Sequence, residues 1–302
     1  MSTLNETHFH NEAAAYRFVE KRVWPEGPVC PHCGGVDRNK ALKGKSTRLG
    51  VYKCYDCMKP FTVKVGTVFE SSHVKLHLWL QAMFLMASSK KGISSNQLHR
   101  TLGVTLKTAW FMSHRLRLAM STVGMEPMGG EGKVVEVDET FTGKWDDVPT
   151  GTKGKGYKNV VVTLVERGGE ARSFHTGGHR RKDVEGLMLA NIKPETNLMT
   201  DEALHYRAVG KQFASHEVVN HSHEEYVRGN VTTNTVEGFY SLFKRGMKGI
   251  YQHCSERHLH RYLAEFDFRY SNRVATGVND PVRTERLLKG IVGKRLTYRT
   301  TH

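Results

Sequence analysis

The sequence has no long hydrophobic run. Its most apolar stretch, LWLQAMFLMA, is too short to span a bilayer and contains a glutamine. The first residues, MSTLNETHFHNEAAAYRFVEKRVW, have no apolar core behind a basic flank and so do not resemble a secretory signal. These two absences predict a cytoplasmic, nucleoid-associated protein with no membrane partner.

Acidic residues are scarce relative to basic ones. The chain of 302 residues has 30 Asp and Glu against 45 Lys and Arg, a formal net charge of +15. Such an excess favours a polyanionic partner, most often nucleic acid, over a merely soluble basic protein. The length allows two or three domains and a sizeable core.

Cysteine is also rare, but four of the five cysteines are paired. Cys30 and Cys33 form one C-x₂-C knuckle, and Cys54 and Cys57 form a second. This spacing predicts a zinc ribbon over residues 28–70, with one structural Zn²⁺ held by four thiolates. The alternative, two disulfides of a secreted domain, does not fit a chain without a recognisable signal.

Helical patterns flank the ribbon. One helix is predicted within residues 1–27, and a helical, DNA-binding region within 71–123. In the latter, Ser94 or Ser95 can cap a short helix that ends at Gly103, and Thr105 can cap a second helix. This arrangement predicts a helix-turn-helix. DNA contacts are expected from Lys107, Arg115 and Arg117; the alternative is an ordinary helical hairpin with a solvated basic face.

Two acids interrupt the β-favouring stretch VEVDETFTG. Side chains alternate along a strand, so Glu139 is expected to face away from Asp138 and to be solvated or salt-bridged. The pattern from residue 133 to 275 predicts an α/β core with a mixed sheet. Asp201 ends the fourth strand, and Glu237 begins a helix. If the strands of Asp138 and Asp201 are neighbours, three carboxylates can converge into a site suited to Mg²⁺ or Mn²⁺.

The whole pattern resembles the DDE transposases of prokaryotic insertion sequences, in the branch with an N-terminal zinc ribbon related to the Merlin elements. The stretches that carry the resemblance are CPHCGG, YKCYDC, VEVDETFTG, LMTDEA and TNTVEGFYSLFKRG. It implies a ribonuclease H-like catalytic core that cuts DNA at element ends and joins the 3′ ends to a target, using divalent metal. By position, Asp138 matches the first catalytic acid and Asp201 the second. The third ligand is expected to be Glu237, because an anion binds Mg²⁺ better than an amide does, with Asn234 as the rival or auxiliary ligand. Lys244 would hold a DNA phosphate.

The C-terminal part of the chain is basic. Residues 238–302 hold 13 Lys or Arg against 5 Asp or Glu. Phosphate contacts are expected from Lys244, Arg245, Arg261, Arg269 and Arg273. The alternative is a charged outer helix face paired with Glu265. Residues 276–302 are expected to form a basic tail.

The sequence therefore predicts a metal-dependent DNA transposase that acts on double-stranded DNA. Two DNA ends must be brought together, which favours a homo-oligomer, at least a dimer. Two alternatives remain open: a non-catalytic DNA-binding regulator descended from a transposase, and a metal-dependent nuclease that cleaves without joining.

Overall fold

The chain divides into two compact units. The computed structural model describes residues 3–122, 124–149, 151–178, 181–223, 225 and 227–297, the side chains of Lys155 and Arg181 excepted. The outermost residues of three predicted domains (1–2, 123 and 298–302) lie outside this part. The first unit, here the ribbon unit, combines the described residues up to Ser89 with Ile93–Ser121 and those from Asn279 onward. The second, the sheet unit, takes Lys90–Gly92 and residues 122–278.

A small antiparallel sheet forms the ribbon. Its strands, in the order β1-β2-β3, are Asn39–Ala41, Tyr52–Cys54 and Pro60–Phe61. Cys30, Cys54 and Phe61 are buried together, and Trp24 and Tyr52 pack against them. The aromatic rings supply much of the apolar burial that so short a sheet needs.

Helices make up the rest of the ribbon unit. They are α1 (Glu12–Val23), α2 (Leu76–Ser88), α3 (Ser95–Leu102), α4 (Leu106–Met120) and α9 (Asp280–Lys289). The caps predicted for α3 and α4 are confirmed, with Ser94 rather than Ser95 at the start of α3: the Ser94 and Thr105 side chains each accept from the backbone N–H three residues later, and Gly103 ends α3 with a left-handed φ of 65°. Asn11 caps α1 in the same way. Within the described residues, no helix is long and apolar enough to cross a membrane.

The prediction of a basic tail from residue 276 is wrong where α9 forms. Asn279 caps this helix by accepting from the Val282 N–H. Leu287 and Leu288 are fully or almost fully buried, and α9 packs against α2. The apolar pair and the Asn-Asp-Pro start are ordinary helix signals that the basic composition obscured.

A five-stranded mixed sheet organises the sheet unit. The strand order is β6-β5-β4-β7-β8, with β4 in the centre. The pairs β6–β5 and β5–β4 are antiparallel, and the pairs β4–β7 and β7–β8 are parallel. The strands are β4 (Val134–Thr142), β5 (Asn159–Glu166), β6 (Ala171–Thr176), β7 (Asn197–Thr200) and β8 (Ser215–Val218). A mixed α/β unit was predicted and is confirmed.

Helices cover both faces of this sheet. Val135 and Val137 of β4 pack on one face with residues of α5 (Arg181–Asn191) and α6 (Tyr206–Val209). The other face packs against α7 (Asn234–Gly246) and α8 (Leu259–Ser271). A short hairpin, β9 (Val227–Arg228) and β10 (Val231–Thr232), leads directly into α7.

Candidate active site and metal centres

Four cysteine thiols meet in the ribbon. Their sulfur atoms all lie within 4.8 Å of one another, with Cys30 and Cys57 at 3.7 Å and Cys33 and Cys54 at 3.6 Å. Four sulfurs about 2.3 Å from a tetrahedral Zn²⁺ would be about 3.8 Å apart. All four cysteines are free thiols. The donor set therefore fits the structural zinc of a zinc ribbon.

The surroundings shift the pKa values of two of the thiols in opposite directions. Burial raises the pKa of Cys30, but the backbone N–H groups of His32 and Cys33, together with neighbouring thiols, outweigh it and lower that pKa to about 7. The Gly35 N–H lowers the pKa of Cys33, but burial and the other thiols raise it to about 12. A divalent cation would remove this conflict, because it stabilises every thiolate at once.

Asp138 and Asp201 are brought together by neighbouring strands. In the parallel pair, Glu136 of β4 lies opposite Met199 of β7. Two residues further along each strand, the same alignment places Asp138 beside Asp201, which follows the end of β7. The condition set by the sequence, that the two strands are neighbours, is met.

The electrostatics of this pair favour a cation. Burial raises the pKa of Asp138 to about 7; the Glu139 N–H lowers it, whereas the charges of Asp201, Glu139 and Glu237 raise it further. Burial also raises the pKa of Asp201, with the Glu139 charge adding to the effect. Half-buried carboxylates that repel one another fit a hard divalent cation such as Mg²⁺ or Mn²⁺.

A cavity of about 730 Å³ opens at the two aspartates. Glu139 and His205 also line it, and their side chains form an ion pair. Glu139 is on the opposite face of β4 from Asp138, on the face of Val137 and α6. Of the two outcomes expected for Glu139, a salt bridge and a solvated side chain, the structure shows the salt bridge: the side chain is only 8% exposed. Its charge still acts on both aspartates.

The third candidate ligand begins α7. Glu237 lies in the first turn, and its Oε1 accepts from Thr233 Oγ1 at 2.9 Å and lies 3.6 Å from His221 Nε2. Asn234, the first residue of α7, is exposed. Among the described residues, only the four cysteines form a group of three or more potential ligands within 4.8 Å, so the three acids are not gathered that tightly.

The basic residues predicted to contact DNA fall into two groups. Lys107, Lys244 and Arg245 are exposed, and Arg261 and Arg273 are half-buried. Arg115, Arg117 and Arg269 are buried, with exposures of 5%, 1% and 6%. Arg115 Nη1 donates to the carbonyls of Val68 and Glu70, and Arg269 pairs with buried Glu265.

The expectation that these three arginines contact DNA, and the alternative of a solvated basic face on the second helix, both assume exposed side chains, whereas the structure shows buried ones. Their guanidinium groups are used within the fold. The alternative of a charged outer face paired with Glu265 is met in part: Arg269 pairs with Glu265, but the pair is buried and does not lie on an outer helix face.

Sequence reasoning missed two features of the site. One is the Glu139–His205 pair, which a strand pattern cannot show because His205 lies in a loop 66 positions away. The other is Glu136, a fully buried acid two residues before Asp138. The signal in the sequence was the presence of acids on both faces of one strand: Glu136, Asp138 and Glu139 lie among valine, threonine and phenylalanine residues.

Two family models match the chain. Residues 129–271 match the ISXO2-like transposase domain, and residues 10–60 match the transposase zinc-ribbon domain. The two matches identify a transposase domain and a transposase zinc-ribbon domain within this chain, in line with the resemblance that the sequence shows.

A similar protein also comes from a transposable element. An uncharacterized protein in transposable element ISH50 of Halobacterium salinarum is 28% identical over 278 residues, which cover 86% of this chain and 91% of that protein. Both the transposase and the zinc-ribbon domain imply that the chain binds DNA.

Proposed function

We propose that this protein is a divalent-metal-dependent DNA transposase with a ribonuclease H-like catalytic core in its sheet unit. It would cleave the ends of an insertion sequence and join the 3′ ends to target DNA. The observation that carries the proposal is the convergence of Asp138 and Asp201, from adjacent parallel strands, on one open cavity. Half-buried carboxylates with raised pKa values in a cavity are typical of a functional site.

The roles of the residues follow from their chemistry. Asp138 and Asp201 would bind the metal, together with Glu237 or Asn234 from the start of α7. The bound ions would activate the attacking oxygen and neutralise charge at the scissile phosphate. Water and then the 3′ hydroxyl would attack, so no side chain would become bonded to DNA. Lys244, two helical turns beyond Glu237, would hold a phosphate.

DNA binding is assigned to both units. In the ribbon unit, α3 and α4 would act as a helix-turn-helix, with exposed Lys107 at the start of α4 near the DNA. In the sheet unit, exposed Lys244 and Arg245 of α7 would contact DNA phosphates. Two element ends have to be held together, so the active form would be at least a dimer, acting on the chromosome in the cytoplasm.

The test is a strand-transfer assay with Mg²⁺ on a DNA fragment that carries the repeats flanking its own gene. Asp138→Asn and Asp201→Asn should each reduce cleavage and joining below detection. DNA binding should be unchanged or slightly stronger, because repulsion toward phosphate falls. Asp183→Asn is the matched control: this acid lines the same cavity but has no assigned role, and its loss should leave strand transfer near the wild-type level.

The outcomes separate the alternatives. Cleavage without joining by the wild-type protein would indicate a nuclease, and DNA binding without either reaction would indicate a regulator. Strand transfer near the wild-type level by Asp138→Asn would refute the assigned site.

The third ligand is decided by two further variants. If Glu237 binds the metal, Glu237→Gln should be as severe as Asp138→Asn, and Asn234→Ala should be partial. The reverse order of severity would assign the third ligand to Asn234.

A further inference from the structure

A hydrogen-bond network centred on Glu136 lies behind the two aspartates. The Glu136 side chain is 0% exposed. Its Oε1 accepts from Arg167 Nε at 2.6 Å and Thr235 Oγ1 at 2.8 Å, and its Oε2 accepts from the backbone N–H groups of Thr235 at 2.8 Å and Val236 at 3.0 Å. A buried carboxylate is costly unless its lone pairs meet donors. Four donors satisfy this one.

Glu136 caps the N-terminus of α7. The first N–H groups of a helix have no partner within the helix, and the preceding residue usually accepts from one of them. Here the preceding residue, Thr233, makes no such bond. Its hydroxyl donates instead to Glu237 Oε1 at 2.9 Å. Because Glu136 satisfies the helix start, Thr233 is available to orient a candidate metal ligand.

Arg167 extends the network to the chain that enters α7. Its Nη1 donates to the Asn230 carbonyl and its Nη2 to the Thr232 carbonyl, both at 2.8 Å. Nη2 also lies 2.9 Å from Met199 Sδ on β7. The rigid fork of a guanidinium thus joins β4, β7 and the β9–β10 hairpin.

The network meets the chain two residues before each candidate acid. Glu136 precedes Asp138, Met199 precedes Asp201, and Thr235 precedes Glu237, each by two positions. Glu136 and Asp138 point to the same side of β4, because residues two apart in a strand do so. Thr235 and Glu237 both lie in the first turn of α7. A shift of α7 against β4 would therefore change the spacing of the acids directly.

We infer that Glu136 and Arg167 are a positioning pair for the divalent-metal site. They bind no metal themselves; they fix α7 relative to β4 and β7, and so fix the distance over which the three acids act together. The inference rests on the proposed metal site. Mg²⁺ requires near-ideal octahedral geometry, and loss of a residue that orients metal ligands typically weakens metal binding about 10- to 100-fold.

The central variant is Glu136→Gln. A glutamine has one acceptor oxygen and one donor NH₂ group, so either Arg167 or the start of α7 must face a donor. The matched control is Glu265→Gln, which removes the charge from another buried Glu–Arg pair of the sheet unit, on α8, where no candidate ligand lies. Both changes should lower the unfolding temperature.

Only the first change should affect the metal site. Mn²⁺ binding is measured by electron paramagnetic resonance on the full-length, zinc-loaded protein, with Asp138→Asn defining the background. Glu136→Gln should weaken site-specific Mn²⁺ binding about 10-fold or more, and Glu265→Gln should leave it unchanged. Thr235→Val removes a single bond to Glu136 and should weaken binding less, in the same direction; it carries the test if Glu136→Gln does not fold.

The results distinguish the two levels of the argument. Wild-type Mn²⁺ affinity in folded Glu136→Gln or Thr235→Val protein, with a lowered unfolding temperature, means that the pair is merely structural and overturns the inference alone. Equal weakening by Glu265→Gln also overturns it. If the wild-type protein has no Mn²⁺ site that depends on Asp138, the proposed function and this inference both fail.

Discussion

Removing the charge of Asp138 should stabilise the sheet unit when no divalent metal is present. Burial is the main reason that the pKa of this carboxyl is raised from 3.8 to about 7, and the charges of Asp201, Glu139 and Glu237 add to it against the opposing Glu139 N–H. The folded-state pKa lies above the unfolded-state value. The contribution of Asp138 to stability is therefore fully present below about pH 4 and is lost as the pH rises through about 7.

The size of the effect follows from the two pKa values. Their difference corresponds to about 4 kcal/mol once the pH is above 7, and to about 2 kcal/mol near pH 5.5. Asp138→Asn has no such ionisation. Relative to the wild-type protein, this variant should gain stability as the pH rises from about 4 to about 8, up to a few kcal/mol.

The assay is hydrogen exchange of the backbone amides of β4 and β5 in Mg²⁺-free buffer with zinc retained, because it reports the opening of the sheet unit alone. Added Mg²⁺ should stabilise the wild-type protein at pH 8 but not the variant. An Asp138→Asn protein that is less stable than the wild type at pH 8 without Mg²⁺, or a difference that does not change with pH, would refute the electrostatic picture of the site.

Three further predictions concern other parts of the chain. Cys54→Ser should lose the zinc ion and unfold the ribbon, as checked by elemental analysis and circular dichroism; a Cys30 disulfide in the native protein would contradict this. DNA affinity should fall about 10³-fold or more between about 50 and 200 mM salt if six or more phosphates are contacted, and a nearly flat salt dependence in a filter-binding titration would argue against that role. Burial raises the pKa of Asp267 to about 7 against hydrogen bonds from Ser173, so its stabilising contribution is lost as the pH rises through 7. Asp267→Asn should therefore gain stability relative to the wild type from pH 5 to pH 8 in urea titrations, and a relative loss would contradict this.

Local signals in the sequence were enough for several parts of the structure. The spacing of the cysteines fixed which four thiols meet, because a C-x₂-C turn aims both side chains at one point. The cap at Thr105 could be predicted from the sequence, and the α3 cap could be narrowed to Ser94 or Ser95, because capping depends on neighbours three residues apart. The approach of Asp138 and Asp201 needed only the assumption that their strands are adjacent.

Burial on several sides could not be read in the same way. Helix α4 is packed by α2, α3 and α9, so Arg115 and Arg117 are internal although their charge suggested a DNA-facing surface. Their acceptors include the carbonyls of Val68 and Glu70 and the hydroxyl of Ser113. A helical pattern gives the direction of a side chain but not the number of elements packed around it.

Long-range partners were equally hidden. The Glu136 carboxylate accepts hydrogen bonds from Arg167 and Thr235, which lie 31 and 99 positions away. No pattern near Glu136 in the sequence indicates either partner. Which of Glu237 and Asn234 is the third metal ligand also stays a prediction, because both side chains lie in the first turn of α7.

The return of the chain to the ribbon unit has a consequence for how the protein is made. Helix α9 packs against α2, and Arg283 Nη1 donates to the Ala87 carbonyl, almost two hundred residues earlier. On the ribosome, the sheet unit is synthesised whole before α9 emerges, so it can complete its folding first. The ribbon unit cannot complete its packing until α9 has been synthesised, and until then the surface of α2 that α9 covers is exposed. A chain that stops before residue 280 would thus have an intact sheet unit but an incomplete ribbon unit.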